Sequence, residues 1–440
     1  MSLARKLASQ SSVIFGARLF GAGLIFVTQA LIARLWGAEL LGEFLLVVAT
    51  VNLVSVVMPL GFHTVGTYFA AEYRARGNRQ QLIAFLIRAY GYVVLAFAGL
   101  VVAGPMLLEW IGQGQGAVAL HFVPFALLTF GTAIVYVNGA VLVGIKRPFA
   151  GFFADTLLRP MIVLGAFLIA LGAGVADAGF TQMLWIIGVG YIVVSLVQFG
   201  FVLSGLKTIP EAEAGQTAES RRWWRFALPW VIISLATDFF FDIDLLLLSH
   251  QLSREDLAIF GVCTRIFSLA SFGVAAVYAV TMPDMFESEA KADRLAFNRK
   301  VGEANAVASG VAIMLFLITI IGAPIALTLF GPEFAAGAMP LAILCLSLVV
   351  RSVTGPAAIV LSIHDRPWAS LPAIAMGIVS LFVCNLVLVP KFGLIGASLA
   401  AILAISIWSV VLWLTALRTA HVDVSIMQWF RTRRVVVAAE

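Results

Sequence analysis

Residues 35–60, LWGAELLGEFLLVVATVNLVSVVMPL, decide the fold, because they contain a long apolar run and because a similar segment recurs later in the chain. Displaced by 216 residues they fall on 251–276, QLSREDLAIFGVCTRIFSLASFGVAA, so that Phe44 meets Phe260. Each segment links the first two apolar runs of its half of the chain and is followed by a charged loop. The sequence therefore predicts two related halves.

Composition places both halves in a membrane. The chain is 62% hydrophobic and 12% charged, with a mean hydropathy of +1.03, whereas soluble domains hold about half apolar and a quarter charged residues. Only helices or closed barrels span a bilayer, and the long runs without alternation predict helices. Twelve spans are predicted, at 12–36, 40–62, 80–104, 117–144, 150–173, 182–206, 224–250, 256–282, 302–330, 335–362, 367–390 and 394–417.

Basic residues orient these spans. Six of the 28 Lys and Arg residues lie well inside these spans, and with the N-terminus in the cytoplasm the outer side holds only Arg34, at the end of the first span, Arg254 and Lys391. The remaining nineteen are cytoplasmic, as the positive-inside rule requires. The sequence therefore predicts that both termini are cytoplasmic.

The predicted fold class is an all-α polytopic membrane protein with two parallel six-helix repeats around a central cavity. The predicted boundaries are a six-helix bundle at 1–206, a cytoplasmic linker at 207–222, a second bundle at 223–417 and a basic tail at 418–440. Six spans per half start both halves on the same side, which makes the repeat parallel. Parallel-repeat transporters hold substrate between their halves. The tail is either an amphipathic helix on the inner leaflet or disordered.

Three carboxylates interrupt the apolar stretch TDFFFDIDLLLLSH, residues 237–250. Inserting an aspartate at the centre of a membrane helix costs about 2.5–3.5 kcal/mol of free energy, so each of the three is expected to have a structural or functional role. Asp238 is expected near the midplane, as a proton or cation site. Asp242, four residues on and on the same face, is expected to pair with Arg265 of the next helix. Asp244 is expected to be shallow, reaching interfacial water or a neighbouring helix, and a structural network of all three remains the alternative.

Six arginines lie inside predicted spans. Arg88, Arg159 and Arg225 are near enough to helix ends for their side chains to reach the headgroups. Arg18, Arg265 and Arg351 lie deeper and are expected to face a wet cavity, with a structural ion pair as the alternative. Candidate substrate-binding arginines are Arg18, Arg88, Arg159, Arg265 and Arg351, and the candidate ion-coupling or gating residues are Asp238, Asp242 and Asp244.

Gly16, Gly21 and Gly23 give the first span two possible properties, bending or close packing against a neighbour. Cys263, Cys345 and Cys384 lie in apolar runs and are expected to be small packing residues. The chain has no Walker loop, no H-E-x-x-H and no G-x-S-x-G motif, so it is not expected to be an enzyme. No cofactor or metal is expected, and active transport would need a gradient of H⁺, Na⁺ or substrate.

Two motifs resemble a known family. The pattern G-x-x-x-x-G-x-F in LIARLWGAELLGEF (31–44), and an aspartate followed by aliphatic residues and a short acidic loop in DLLLLSHQLSREDLAIF (244–260), are similar to bacterial polysaccharide transporters. Ala258 departs from the glycine that the second motif often holds. The chain resembles Wzx-type O-antigen or exopolysaccharide flippases of the multidrug/oligosaccharidyl-lipid/polysaccharide exporter superfamily.

This resemblance implies transport of a lipid-linked oligosaccharide, undecaprenyl-diphosphate-linked, across a bacterial inner membrane for O-antigen, lipopolysaccharide, exopolysaccharide or capsule synthesis. Intramembrane arginines suit the phosphates of such a substrate. Implied partners are this substrate, membrane lipids and the polysaccharide polymerase or chain-length machinery, with no nucleic acid. The alternatives are a cation-coupled multidrug exporter of the same superfamily and a membrane-embedded polysaccharide polymerase, against which the short outer loops argue.

Overall fold

The described part of the chain is helical throughout. A computed structural model describes residues 3–173, 176–210, 220–290, 293–364 and 366–437, and these contain no strand. In lipid, helices satisfy their own backbone groups, so apolar composition and secondary structure agree. The chain forms two compact units, Met1–Ile243 and Asp244–Glu440.

Beside the one-turn helix Ala117–Leu120, the described residues of the first unit form eight helices and the start of a ninth. They are α1 Leu3–Trp36, α2 Ala38–Val57, α3 Phe62–Ala75, α4 Arg79–Trp110, α5 Phe122–Gly144, α6 Pro148–Ala170, α7 Ala176–Leu206, α8 Ser220–Asp238 and α9 Phe240–Leu248. Helix α6 is not uniform, because residues Ala154–Leu158 form a π-helical turn.

The second unit holds the remaining helices of the described chain. They are α10 Arg254–Ala290, α11 Arg294–Thr328, α12 Ala338–Thr354, α13 Ala357–Ile363, α14 Leu371–Thr419 and α15 Met427–Val437. Helix α14 is two spans joined at Gly393, whose φ of 53° and ψ of −128° kink it. The prediction of separate spans at 367–390 and 394–417 is therefore confirmed.

Length and apolar composition mark the candidate membrane spans among these helices. Ten helical stretches of the described chain are long and apolar enough to cross a bilayer, and one of them is the kinked pair Trp368–Thr419. The predicted span at 224–250 falls on α8 and α9, which are interrupted at Phe239. This arrangement confirms the predicted polytopic all-α class.

Helix α8 packs into the first unit, which extends to Ile243. Trp223 is fully buried in the aromatic core beside Phe62 and Phe85. Its indole Nε1 donates to the Tyr73 hydroxyl at 2.6 Å. Arg222 donates two hydrogen bonds to the Glu72 carboxylate, at 3.0 and 2.9 Å. Aromatic burial and a bidentate ion pair thus attach the start of α8 to α3.

The C-terminal segment packs onto the second unit at a break between α12 and α13. Gly355 has φ +89°, and a Cβ there would meet the Val424 carbonyl, so only glycine fits this position. The amide of Ile426 donates to the Val353 carbonyl at 2.9 Å, and Asn305 donates to the Val424 carbonyl at 3.1 Å. The tail thus satisfies backbone groups around the break and continues as the helix α15.

Candidate functional site

A polar network lies inside the first unit and contains two of the predicted residues. The Arg159 guanidinium donates to Asp155 Oδ1 at 3.3 Å and to Asn52 Oδ1 at 2.9 Å. The Asn52 amide nitrogen donates in turn to Asp242 Oδ2 at 3.3 Å. Asn52 therefore joins the predicted residues Arg159 and Asp242, which lie on different helices.

Arg159 is held inward by these contacts. Its side chain is 14% exposed, and its guanidinium lies 5.4 Å from the centre of the Tyr191 ring. The carboxylate, the amide oxygen and the aromatic ring all interact favourably with the guanidinium, and together they offset the free-energy cost of removing its charge from water. The side chain of Arg159 is therefore engaged inside the unit, where all of these partners lie.

The π-helical turn at Ala154–Leu158 positions the acid and the base of this network. The Arg159 amide donates to the Ala154 carbonyl, five residues back, which inserts one extra residue into the turn. Pro160 follows and has no N–H to donate to the Thr156 carbonyl. Such π-turns frequently occur at functional sites, and here Asp155 and Arg159 flank the widened turn.

Arg18 and Arg88 lie over aromatic rings. The Arg18 guanidinium carbon is 5.0 Å from the Phe152 ring centre, on the helix that carries Arg159. The corresponding distance from Arg88 to Trp223 is 4.8 Å. Arg88 is half-buried, whereas Arg18 is exposed. The cation–π contact therefore restrains the Arg18 side chain while its guanidinium N–H groups stay accessible.

The three predicted aspartates have different surroundings. Asp238 ends α8, is exposed, and accepts from Ser234 Oγ at 3.0 Å. Asp242 is 8% exposed and belongs to the network around Asn52. The interruption at Phe239 separates them, so the expectation that they share one helical face is wrong. The predicted pairing of Asp242 with Arg265, which belongs to the second unit, stays a prediction.

Asp244 forms a buried pair in the second unit. It is fully buried, and Asn385 of α14 donates to its Oδ1 at 2.7 Å. Of the two environments expected for Asp244, the neighbouring helix is the correct one. Within the described residues, Asp244 Oδ2 and Asn385 Oδ1 are both buried acceptors without a hydrogen-bond donor. Unsatisfied buried oxygens are costly, and a proton or a small cation would satisfy them.

The deep arginines of the second unit are placed on α10 and α12. Arg265 is half-buried, eleven residues from the start of α10, which is about 16 Å along the helix. Arg351 is exposed in the last turn of α12, one turn before Gly355. Its guanidinium carbon lies 5.9 Å from the Trp408 ring centre. Broken helices line substrate sites in transporters, and Arg351 stands at such a break.

Sequence reasoning missed the amides and one acid of these sites. Asp155 had a signal, because it lies four residues before Arg159 within a span and the two therefore share a helix face. Asn52 and Asn385 each interrupt an apolar run, and this is the signal that the sequence offers for a buried amide with a charged partner. Their partners lie 190 and 141 residues away, which no local pattern reveals.

Comparison with known proteins yields one curated relative and several solved structures. No protein-family model matches the chain. The curated relative, described as "Probable low-salt glycan biosynthesis flippase Agl15", comes from Haloferax volcanii. It is 22% identical over 407 residues, which cover 91% of this chain and 81% of that protein.

Solved structures match over nearly the full length. A multidrug-resistance MATE transporter of the MOP superfamily, in an inward-facing conformation, has a TM-score of 0.74 at 14% identity and covers 91% of this chain and 95% of its own. The lipid II flippase MurJ, in an inward closed conformation, has a TM-score of 0.71 at 13% identity, covering 96% and 89%. The chain therefore has the fold shared by this MATE transporter and by MurJ.

Proposed function

We propose that the protein is a flippase that moves a lipid-linked oligosaccharide from the cytoplasmic to the outer leaflet of the inner membrane. The substrate class is an undecaprenyl-diphosphate-linked glycan, used in O-antigen, exopolysaccharide or capsule synthesis. Transport would occur by alternating access of the two six-helix halves. The polymerase and chain-length machinery would use the product.

Arginines within the membrane spans carry this proposal. Arg18 and Arg351 keep exposed guanidinium groups while contacting aromatic rings, and Arg265 is half-buried deep in α10. Guanidinium groups bind phosphate oxygens in a bidentate manner, and a diphosphate supplies several such oxygens. The glycan flippase and lipid II flippase among the similar proteins support the same substrate class.

A multidrug exporter is the second candidate, favoured by the likeness to MATE transporters. Such a protein would bind organic cations, for which aspartates and aromatic rings are suitable and arginines are repulsive. A transport assay with both substrates distinguishes the flippase from the exporter, because a lipid-linked diphosphate is negatively charged and an organic cation is positively charged.

Transport by purified protein in proteoliposomes tests the function. A fluorescent undecaprenyl-diphosphate oligosaccharide would be followed by its loss of accessibility to an external reductant. We expect transport by the native chain, and loss of transport when Arg18, Arg265 and Arg351 are all changed to Gln. Changing them to Lys should retain part of the rate, because the charge remains without the planar fork.

Arg299→Gln is the matched control, since Arg299 is 55% exposed near the start of α11 and pairs with Glu303. It should transport like the native chain. Native rates in the triple Gln variant would remove the phosphate role. Transport of an organic cation such as ethidium, without transport of the glycan lipid, would establish the exporter instead.

We further propose that Asp244 and Asn385 bind the coupling ion, H⁺ or Na⁺. Their two buried acceptor oxygens support this role. Asp244→Asn keeps the shape and removes the carboxylate, so transport should lose its response to imposed pH or sodium gradients. Asp177→Asn is the matched control, because Asp177 is exposed in the first turn of α7. An Asp244→Asn variant that responds to both gradients as the native chain does would exclude this site.

A further inference from the structure

An apolar groove lies between α6 and α7 of the first unit, along the stretch of α6 that includes the π-helical turn. It has a volume of about 350 Å³, which is within the size range of small-molecule sites. Its lining includes Phe149, Phe153, Leu158, Val193, Val197 and Phe201. Four of these side chains, at 158, 193, 197 and 201, are between 41% and 55% exposed, so the groove is open on its outer side.

The π-helical turn and Gln198 shape this groove. Gln198 Nε2 donates to the carbonyls of Ala150 and Gly151, at 2.8 and 3.2 Å. These carbonyls precede the π-turn, where the helical bonding pattern shifts by one residue. The side chain of Gln198 therefore fastens α7 to the start of α6 and fixes the groove's floor, which gives a preformed concave surface.

Positive charge marks one end of the groove. Arg147 immediately precedes α6, and its Nη1 donates to Ser204 Oγ at 2.8 Å and to the Phe201 carbonyl at 3.3 Å. These bonds hold the guanidinium beside Phe201 and leave further N–H donors. Exposed Lys146 immediately precedes Arg147, and exposed Lys207 immediately follows the end of α7, three residues after Ser204. The end of the groove nearest Arg147 is thus suited to an anion.

The length of the groove indicates its occupant. From Phe149 to Leu158 is nine residues, or about 13 Å of helix, close to half of the roughly 30 Å hydrocarbon thickness. A groove of that length, basic at one end and apolar along the rest, matches a lipid of a single leaflet. We propose that it binds an acyl chain of an anionic membrane phospholipid, with the headgroup phosphate at Arg147.

Native mass spectrometry of the full-length protein tests this site, with dioleoylphosphatidylglycerol and dioleoylphosphatidylcholine as probes. We expect preferential retention of the anionic lipid. Arg147→Gln should weaken that retention about fivefold, the effect of one basic residue near an anionic lipid surface. Val197→Trp should fill the groove and abolish retention at this site. Val197 is 55% exposed on the open side of the groove, so the indole can lie in the groove without displacing a buried side chain.

Two matched variants complete the test. Val189→Trp alters a residue on the same helix that is 50% exposed and outside the groove, and Arg221→Gln removes an exposed charge at the start of α8. Both should retain the anionic lipid like the native chain. Equal retention of the two lipids, or native retention by Val197→Trp, would overturn the proposal. Retention of undecaprenyl phosphate without phosphatidylglycerol would also overturn it, in favour of a polyprenyl site.

Discussion

Arg159 illustrates how a membrane protein holds a buried charge. Its guanidinium donates hydrogen bonds to Asp155, four residues earlier on the same helix, and to the side-chain oxygen of Asn52 on α2. The amide nitrogen of Asn52 donates in turn to Asp242. Each added partner lowers the cost of removing a charge from water, whereas removing one partner leaves the others uncompensated. The network therefore connects α2, α6 and α9 by charge-assisted hydrogen bonds.

Changing Arg159 to Gln should destabilise the protein by about 1.5–3 kcal/mol, the range for a hydrogen-bonded charge. The variant leaves Asp155 and Asn52 without their donor. The double change Asp155→Asn with Arg159→Gln should recover part of the loss, because no unpaired carboxylate then remains. Thermal unfolding of purified protein measures the difference.

Arg76→Gln is the comparison for this experiment. Arg76 pairs with Glu72 at 2.8 Å but its side chain is 60% exposed, so its removal should cost about 0–1 kcal/mol. An Arg159→Gln variant as stable as Arg76→Gln would show that the network contributes nothing to folding.

At the scale of elements, helix α1 depends on one of its three glycines for packing. A Cβ at Gly21 would meet the carbonyl oxygen of Thr156 in the π-helical turn, whereas Gly16 and Gly23 have open space. Of the two properties that sequence reasoning left open, close packing therefore applies at Gly21. Because Pro160 offers no N–H to Thr156, the backbone of α1 approaches the turn where its helical bonding is altered.

Gly21→Ala should destabilise the protein by about 1–3 kcal/mol, since the added methyl group must displace backbone. Gly23→Ala, on the same helix, should instead be neutral or stabilising by about 0.5–1 kcal/mol, because alanine loses less conformational entropy. Unfolding temperatures of the two variants provide the measurement. Equal destabilisation would mean that α1 is sensitive to helix propensity rather than to the contact with Thr156.

The elements show which features sequence patterns can predict. Span positions follow from hydropathy, which reflects the bilayer and needs no tertiary information. Breaks within spans do not, because Phe239 carries no local signal and Gly355 is fixed by a tail segment about seventy residues later. The π-turn at Ala154–Leu158 changes hydrogen bonding without changing hydropathy. Arg159 was therefore recognised as a charge within a span, while its orientation needed the fold.

At the scale of the whole molecule, the division between the units falls within the stretch 237–250. Asp242 is hydrogen-bonded within the first unit, and Asp244, two residues later, within the second. Successive acids on one short helix thus belong to separate networks. Predicting both hydrogen-bonded pairs from sequence would need covariation between each aspartate and the distant asparagine that it contacts.

Orientation is the remaining whole-molecule property, and the distribution of charge alone predicts it. With Arg34, Arg254 and Lys391 as the only basic residues on the predicted outer side, the opposite orientation would place nineteen cations outside. A cysteine replacing Gln115, which is exposed between α4 and α5, should react with an impermeant maleimide in intact cells. A cysteine replacing Arg76, exposed just after α3, should react only after permeabilisation.

The native chain is the control for this labelling, because its three cysteines lie in membrane spans and two of them are buried. Labelling of the Arg76 variant in intact cells, with protection of the Gln115 variant, would reverse the orientation. The basic end of the α6–α7 groove would then face the outside, and the direction of transport proposed for the lipid-linked glycan would reverse with it. The same pair of variants thus fixes which leaflet supplies the phospholipid and which leaflet supplies the substrate.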